Sequence, residues 1–270
     1  TDKTRAPEAD VILVRAKTIC DKAYIDAAKN AKLIIRGGVG IDNIDKTYAE
    51  SKGIIVRNTP KASSIAVAEL TFALMLSAPN HIITYHNGMK NGEWLKNIKR
   101  TELYGKTLGL LGIGNIATKV AERAKAFGMN VVAYDKYVSS SAVATLVPTV
   151  EDAVKDADYI SIHMPLTDET RNMFNADLFA KMNRKPVIIN AARGAIVNAD
   201  DMVKALDDGQ VTCYCADVYP SDPPAPDYPL LKSDKVILTP HVGANSKENL
   251  LRIGDEIVAT IKDLKDNGKI

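Results

Sequence analysis

Disulfide chemistry has little to work with in this sequence. Its 270 residues hold three cysteines, Cys20, Cys213 and Cys215. The number is odd, and a chain of this length buries a core without cross-links, which points to a reducing, cytoplasmic setting over a disulfide scaffold. Excess charge of one sign is absent too. Lys plus Arg number 35 against 33 for Asp plus Glu, a net +2, so no general field exists to hold nucleic acid or an anionic membrane. Long apolar runs are also missing. The longest, 65–76, is interrupted by Glu69 and Thr71 and falls short of a membrane span. No repeats or low-complexity tail stand out. Cys213 and Cys215 lie two apart in VTCYCADVY, on one face of an expected strand. With no further Cys or His nearby to complete four ligands, core burial is favoured over metal binding, and no metal site is expected.

What is present is globular. Hydrophobic residues are 46% and charged residues 25%, which excludes a disordered or fibrous chain, and the length suggests about two domains. Short β-branched runs recur at 11–15, 32–36, 54–58, 107–112, 131–135, 159–163, 187–191, 212–218 and 236–240. Amphipathic stretches alternate with them at 21–31, 116–127, 150–157, 200–208 and 246–267. Near-continuous apolar strands alternating with helices predict an α/β fold with parallel, doubly wound sheets covered on both faces. A long helical stretch, 65–92, separates two strand groups, and Pro79 should interrupt it. Domains are therefore expected at 1–79 plus 247–270 and at 80–246, with a cleft between them. The segment 220–229 holds five of the twelve prolines and should be a stiff surface connection.

The most informative local motif is Gly112-x-Gly114-x-x-Ala117, which follows an apolar strand and opens a helix. The first glycine permits a tight turn, the second lets a pyrophosphate approach the backbone, and a small third residue lets the helix pack on the strand. The helix start around Asn115 and Ile116 offers backbone N–H groups to phosphate. Asp135 ends the next strand, where a carboxylate accepts hydrogen bonds from ribose hydroxyls and repels a 2′-phosphate. That favours NAD over NADP, although Lys136 stands beside it. Three chemically capable side chains follow strands elsewhere: Arg193 in NAARGAIV, Asp222 in DVYPSDPP and His241 in TPHVG. Taken singly, each reads as an ordinary structural or surface residue. His81 and His86, in the helical stretch, are assigned no role.

Together these segments, with RGGVGIDNID, NTP followed by VAEL, and SIHMPLTDETRNM, make the whole chain resemble the D-isomer-specific 2-hydroxyacid dehydrogenases. By that resemblance Thr1 begins inside the first domain, after a first strand and helix. The resemblance implies two Rossmann or flavodoxin-like domains, the first for substrate and the second for NAD. It implies hydride transfer between NAD and a small 2-hydroxyacid, with Arg193, Asp222 and His241 as catalytic residues. His241 would take the hydroxyl proton, a task imidazole suits. The carboxylate would orient the ring and favour its protonated form. Arg193 would grip the substrate carboxylate or carbonyl with its planar fork.

The family acid is usually Glu, and Asp222 is shorter by about 1.5 Å. Either its loop moves inward or the pair is looser. His163, Pro165, Thr170, Ala191, Ala192, Asp217, Gly243 and Ala244 would join Gly112, Gly114, Asn115, Ile116, Asp135, Arg193 and His241 around the cofactor. Asp217 in particular would meet the nicotinamide carboxamide. Substrate contacts would come from Arg15, Val39, Gly40, Ser63, Lys96, Arg193 and His241, with N–H groups near Val39 and Gly40 forming an anion nest. Ser63 stands where the family often has Asn. Arg15 and Lys96 favour a phosphorylated substrate, 3-phosphoglycerate, at the entry to serine synthesis. Glyoxylate, hydroxypyruvate, lactate or a branched 2-hydroxyacid is the alternative, and an NAD-sensing corepressor a more distant one. A homodimer built on the long helical stretch is also implied, with Lys96 acting from a neighbouring subunit.

Overall fold

The computed structural model describes residues 3–15 and 17–270, with Lys3 described in its backbone only. It divides into two compact units, 1–66 with 244–270, and 67–243. In the first unit, β1 (Val11–Val14), β2 (Leu33–Arg36) and β3 (Ile55–Asn58) form a parallel sheet in that order. Helices α1 (Lys22–Ala27) and α2 (Lys46–Ser51) connect them, each N-capped by an aspartate, Asp21 or Asp45. Alternation along β2 sends Ile34 into one apolar cluster with Ile12, Val14 and Val56. Leu33 and Ile35 go to the other face, against Ile253, Ile257 and Leu264 of the last helix, α9 (Lys247–Asp266). Ser246 starts α9 by accepting a hydrogen bond from the Asn249 N–H.

Helix α3 (Ser64–Ser77) crosses the division, and α4 (Ile82–Lys90) follows after a break. In the second unit, β4 (Thr107–Leu111), α5 (Asn115–Ala126), β5 (Asn130–Tyr134), β6 (Thr145–Leu146), α6 (Val150–Val154) and β7 (Tyr159–Ile162) come first in the chain. Then come α7 (Ala176–Phe179), β8 (Val187–Asn190), α8 (Ala199–Asp207), β9 (Cys213–Ala216) and β10 (Val236–Leu238). The strands form a seven-stranded parallel sheet in the order β10-β9-β8-β7-β4-β5-β6. The order reverses at β4, whose neighbours are β5 and β7. That switch point is where the carboxyl ends of strands leave a crevice for a ligand. Both faces are covered. Ile188 of β8 joins a cluster with Ile160, Ile162 and Met202, whereas Val187 and Ile189 join Leu108, Leu110 and Val120 on the opposite face.

Two expectations shift. The domain division falls at 66/67, not at Pro79, because Ala68, Phe72, Leu74 and Met75 of α3 are buried in the core of the second unit beside Leu108 and Val120. The return falls at 243/244, not 246/247. Pro79 does interrupt the helical stretch: α3 ends at Ser77, and α3 and α4 are bent 64° apart. Among the described residues, no single helix is long and apolar enough to cross a membrane. Cys213 and Cys215 share a face of β9 with sulfurs 3.9 Å apart, and Cys215 is buried among the apolar residues beneath α3 and α5.

Candidate active site

The turn after β4 is built for close approach. Gly112 has φ 93°, and a Cβ there would lie 2.8 Å from the His163 carbonyl oxygen, so only glycine fits. Gly114 is the N-cap of α5, places no side chain over the helix start and leaves open space where a Cβ would be. Asn115 and Ile116 begin the helix, and Ala117 is buried against the sheet as the small third residue requires. Asp135 follows β5. Its Oδ2 accepts from the Ile113 N–H at 2.9 Å, and its Oδ1 accepts from the N–H groups of Tyr137 at 2.8 Å and Val138 at 3.2 Å. A fixed carboxylate therefore stands beside an uncapped helix N-terminus, and this donor and acceptor set fits a dinucleotide.

His163, after β7, is partly buried, and its ring Nε2 lies 2.9 Å from the Ser161 hydroxyl. Desolvation pushes its pKa down to about 4, so the ring is neutral at pH 7. Thr170 is buried and donates to the Pro165 carbonyl at 2.7 Å while accepting from the Thr167 N–H, so it braces this loop from within. Pro165 is exposed on the same loop.

After β8, Ala191, Ala192 and Arg193 are partly buried. Arg193 directs one guanidinium nitrogen to the Ala192 carbonyl at 2.7 Å. The buried Asn190 side chain accepts from the Ala192 N–H at 3.0 Å and donates to the Arg193 carbonyl at 3.0 Å and to the Tyr214 hydroxyl at 3.1 Å. Asn190 thus shapes the backbone that presents Arg193. Gly194 makes the next turn possible, since a Cβ there would sit 2.2 Å from the Tyr219 backbone.

His241 and Asp222 meet directly: the imidazole Nδ1 hydrogen-bonds the Asp222 Oδ2. The shorter acid reaches its partner, so the pair forms although Asp222 lacks the extra methylene of a glutamate. Tyr219 donates to the Thr239 carbonyl at 2.9 Å and meets the Tyr228 ring edge-on at 6.1 Å, pinning both loop ends. Burial pushes the Tyr228 hydroxyl up to about 12. Behind the pair lies Asp217, 2% exposed. Its Oδ1 accepts from the Thr239 hydroxyl at 2.7 Å and the Val242 N–H at 2.8 Å, and its Oδ2 accepts from the Gly243 N–H at 2.7 Å. These bonds clamp 239–243 on both sides of His241, which takes the left-handed φ of 54°. These partners make Asp217 the anchor of the histidine loop. Gly243 is confined by the same carboxylate, 2.9 Å from where a Cβ would be.

The substrate candidates divide between the units. In the first, Arg15 follows β1 and is exposed, and Val39 and Gly40 occupy the loop after β2. The Thr59 hydroxyl accepts from the Gly38 N–H at 2.7 Å, and Asn58 donates to the Val39 carbonyl at 2.5 Å, so the end of β3 shapes that loop. Ser63 departs from expectation. It is 1% exposed and accepts from the Asn249 side chain at 3.3 Å, so packing under α9 turns its hydroxyl inward. The same Asn249 donates to the Ala244 carbonyl at 2.6 Å. Lys96 is exposed in the second unit, after Trp94. Asn190, Thr239, Tyr219, Asn58 and Thr59 were given no role from the sequence, although each lies inside a quoted segment.

Residues 72–243 match the family model described as D-isomer specific 2-hydroxyacid dehydrogenase, NAD binding domain. The chain belongs to the D-isomer specific 2-hydroxyacid dehydrogenase family. Within this family it is 44% identical over 260 residues to a D-3-phosphoglycerate dehydrogenase of Methanocaldococcus jannaschii, covering 94% of this chain and 49% of the relative. It is 42% identical over 258 residues to a hydroxypyruvate reductase of Thermotoga maritima, covering 94% and 84% respectively. The chain thus spans about half the length of its first-named phosphoglycerate dehydrogenase relative. Among solved structures, it is similar to D-lactate dehydrogenase from Aquifex aeolicus complexed with NAD and lactic acid. The TM-score is 0.88 at 30% identity, covering 100% of this chain and 86% of that one.

Proposed function

We propose that this protein is an NAD-dependent oxidoreductase of D-2-hydroxyacids, with 3-phosphoglycerate and 3-phosphohydroxypyruvate as its substrate pair. The observation that carries the chemistry is the His241–Asp222 pair, held by the Asp217 clamp in the same unit as the Gly112–Asp135 site. The Gly112 turn and Asp135 would hold NAD, which would supply the hydride acceptor for the carbon that bears the hydroxyl. With Nδ1–H donated to Asp222, the His241 Nε2 is the atom that takes the hydroxyl proton and returns it in reduction. Asp222 orients the ring and offsets the charge it gains. Arg193 supplies a cationic fork for the substrate carboxylate or carbonyl, which fixes orientation and polarises the carbonyl. N–H groups near Val39 and Gly40 support carboxylate binding.

The phosphorylated substrate rests on Arg15 and Lys96 as exposed cations and on similarity to the phosphoglycerate dehydrogenases. Similarity to the hydroxypyruvate reductase over most of that relative's length favours a second reading, in which hydroxypyruvate or glyoxylate is the ketoacid. Initial rates at 340 nm with NADH and each of 3-phosphohydroxypyruvate, hydroxypyruvate, glyoxylate and pyruvate separate the two. The phosphorylated ketoacid is expected to win by orders of magnitude in kcat/KM. If an unphosphorylated one wins, the roles of Arg15 and Lys96 fall. A homodimer in the cytoplasm completes the proposal. It is supported by exposed Ile82, Ile83 and Met89 on α4 with Trp94 beyond it, and by cysteines that form no disulfide among the described residues.

A further inference from the structure

The corner beside the Gly112 turn holds three charges in a defined arrangement. Asp135 is fixed by the N–H groups of Ile113, Tyr137 and Val138, so its carboxylate cannot swing aside. The next residue, Lys136, is a cation of the kind that could receive a 2′-phosphate on the adenosine ribose. It is already engaged: Nζ donates to both oxygens of Glu169, at 2.9 and 2.8 Å. Glu169 comes from 33 residues away, on the loop after β7 that Thr170 braces through Thr167 and Pro165. The Lys136–Glu169 pair therefore links loops that leave β5 and β7, on the two sides of β4.

We propose that Glu169 is a specificity-determining residue for the dinucleotide: by occupying Lys136 it leaves this corner with a net negative charge, which admits a ribose 2′-hydroxyl and rejects a 2′-phosphate. The sum is one positive charge against two negative. Without Glu169, Lys136 balances Asp135 and is released toward the ribose. The pair itself is exposed, with side chains about half and 70% accessible, so it contributes little to stability. Its effect is on the ligand, because a phosphate brings close to two negative charges into this field. Glu169 also raises the Lys136 pKa through this hydrogen bond, which keeps the cation charged and held.

The test is equilibrium binding of NADH and NADPH to the full chain, followed by dihydronicotinamide fluorescence, for the native protein, E169Q, K136Q and the double variant. Both positions are exposed, so folding is not at stake. NADPH is expected to bind native protein much more weakly than NADH. E169Q should tighten NADPH by about fivefold in low salt, with a smaller change for NADH. K136Q should move the ratio of the two dissociation constants the other way. In the K136Q background the gain from E169Q should shrink to about twofold or less, because only the solvent-screened direct repulsion between Glu169 and the phosphate is then left to remove. A ratio unmoved by E169Q, or a gain that persists in full without Lys136, overturns the proposal. Native protein that binds neither dinucleotide overturns the reading of the Gly112–Asp135 site itself, and this proposal with it.

Discussion

Single side chains carry the chemistry, and each has a measurable consequence. Replacing His241 by Asn removes the proton acceptor and should lower kcat/KM by about 10³-fold while NADH binding persists; general base catalysis has that scale. Asp222→Asn keeps the shape but loses the charge that offsets the imidazolium. A drop of about 10²-fold with a shifted pH–rate profile is expected, and an unshifted profile would remove Asp222 from the acid role. His163 predicts a stability effect in place of a rate effect. Its pKa is depressed to about 4 in the folded state, so between about 4 and the ordinary value near 6.5 the unfolded chain binds the extra proton. The contribution is fully present above about pH 6.5 and is lost as pH falls to about 4, by roughly 2–3 kcal/mol at most. Urea unfolding at pH 7 and pH 4.5 checks this, because His163→Asn should flatten the difference.

The elements place these residues by ordinary packing rules, and two positions test that. A Cβ at Gly112 would meet the His163 carbonyl in a backbone conformation that only glycine adopts freely. Gly112→Ala should therefore weaken NADH binding at least tenfold, read by the same fluorescence titration. In the first unit, α9 holds the sheet through Ile253 and Ile257 packed on Leu33 and Ile35. Ile253→Ala leaves a cavity there and should cost about 2–4 kcal/mol in urea unfolding. The strands were legible because buried parallel strands are continuous apolar runs, as VIIN at β8 shows. Two-residue β6 and four-residue α7 were not, because so few residues display no period.

For the whole molecule, the division into units follows which core each helix enters. The proline expected to interrupt the helical stretch suggested a boundary at Pro79, whereas burial of Phe72 and Met75 with the strands of the second unit moved the division into α3. Beyond Pro79, α4 leaves Ile82, Ile83 and Met89 exposed, and Trp94 is 75% exposed. In the proposed homodimer these residues would be covered by the second copy. Light scattering at micromolar concentration should give a dimer, and Trp94→Glu with Ile83→Glu should give monomers. A native monomer under those conditions would remove the shared-subunit role of Lys96 as well.

Local rules marked the Gly112 turn and Asp135: a glycine where the backbone turns tightly, a charged group just past a strand end. Arg193, Asp222 and His241 read singly as ordinary residues, and only the family resemblance drew them together. What spacing could not show is pairing across distance. The bonds from Asp217 to the histidine loop span 22 to 26 residues, and the Lys136–Glu169 bond spans 33. Ser63 was read as a substrate contact, and Asn249 buried its hydroxyl across 186 residues of chain. A charge or hydroxyl in a sequence has no partner until strand order and helix packing supply one. Folding therefore decided which groups Asp217 holds in place, and whether Lys136 stood free or engaged.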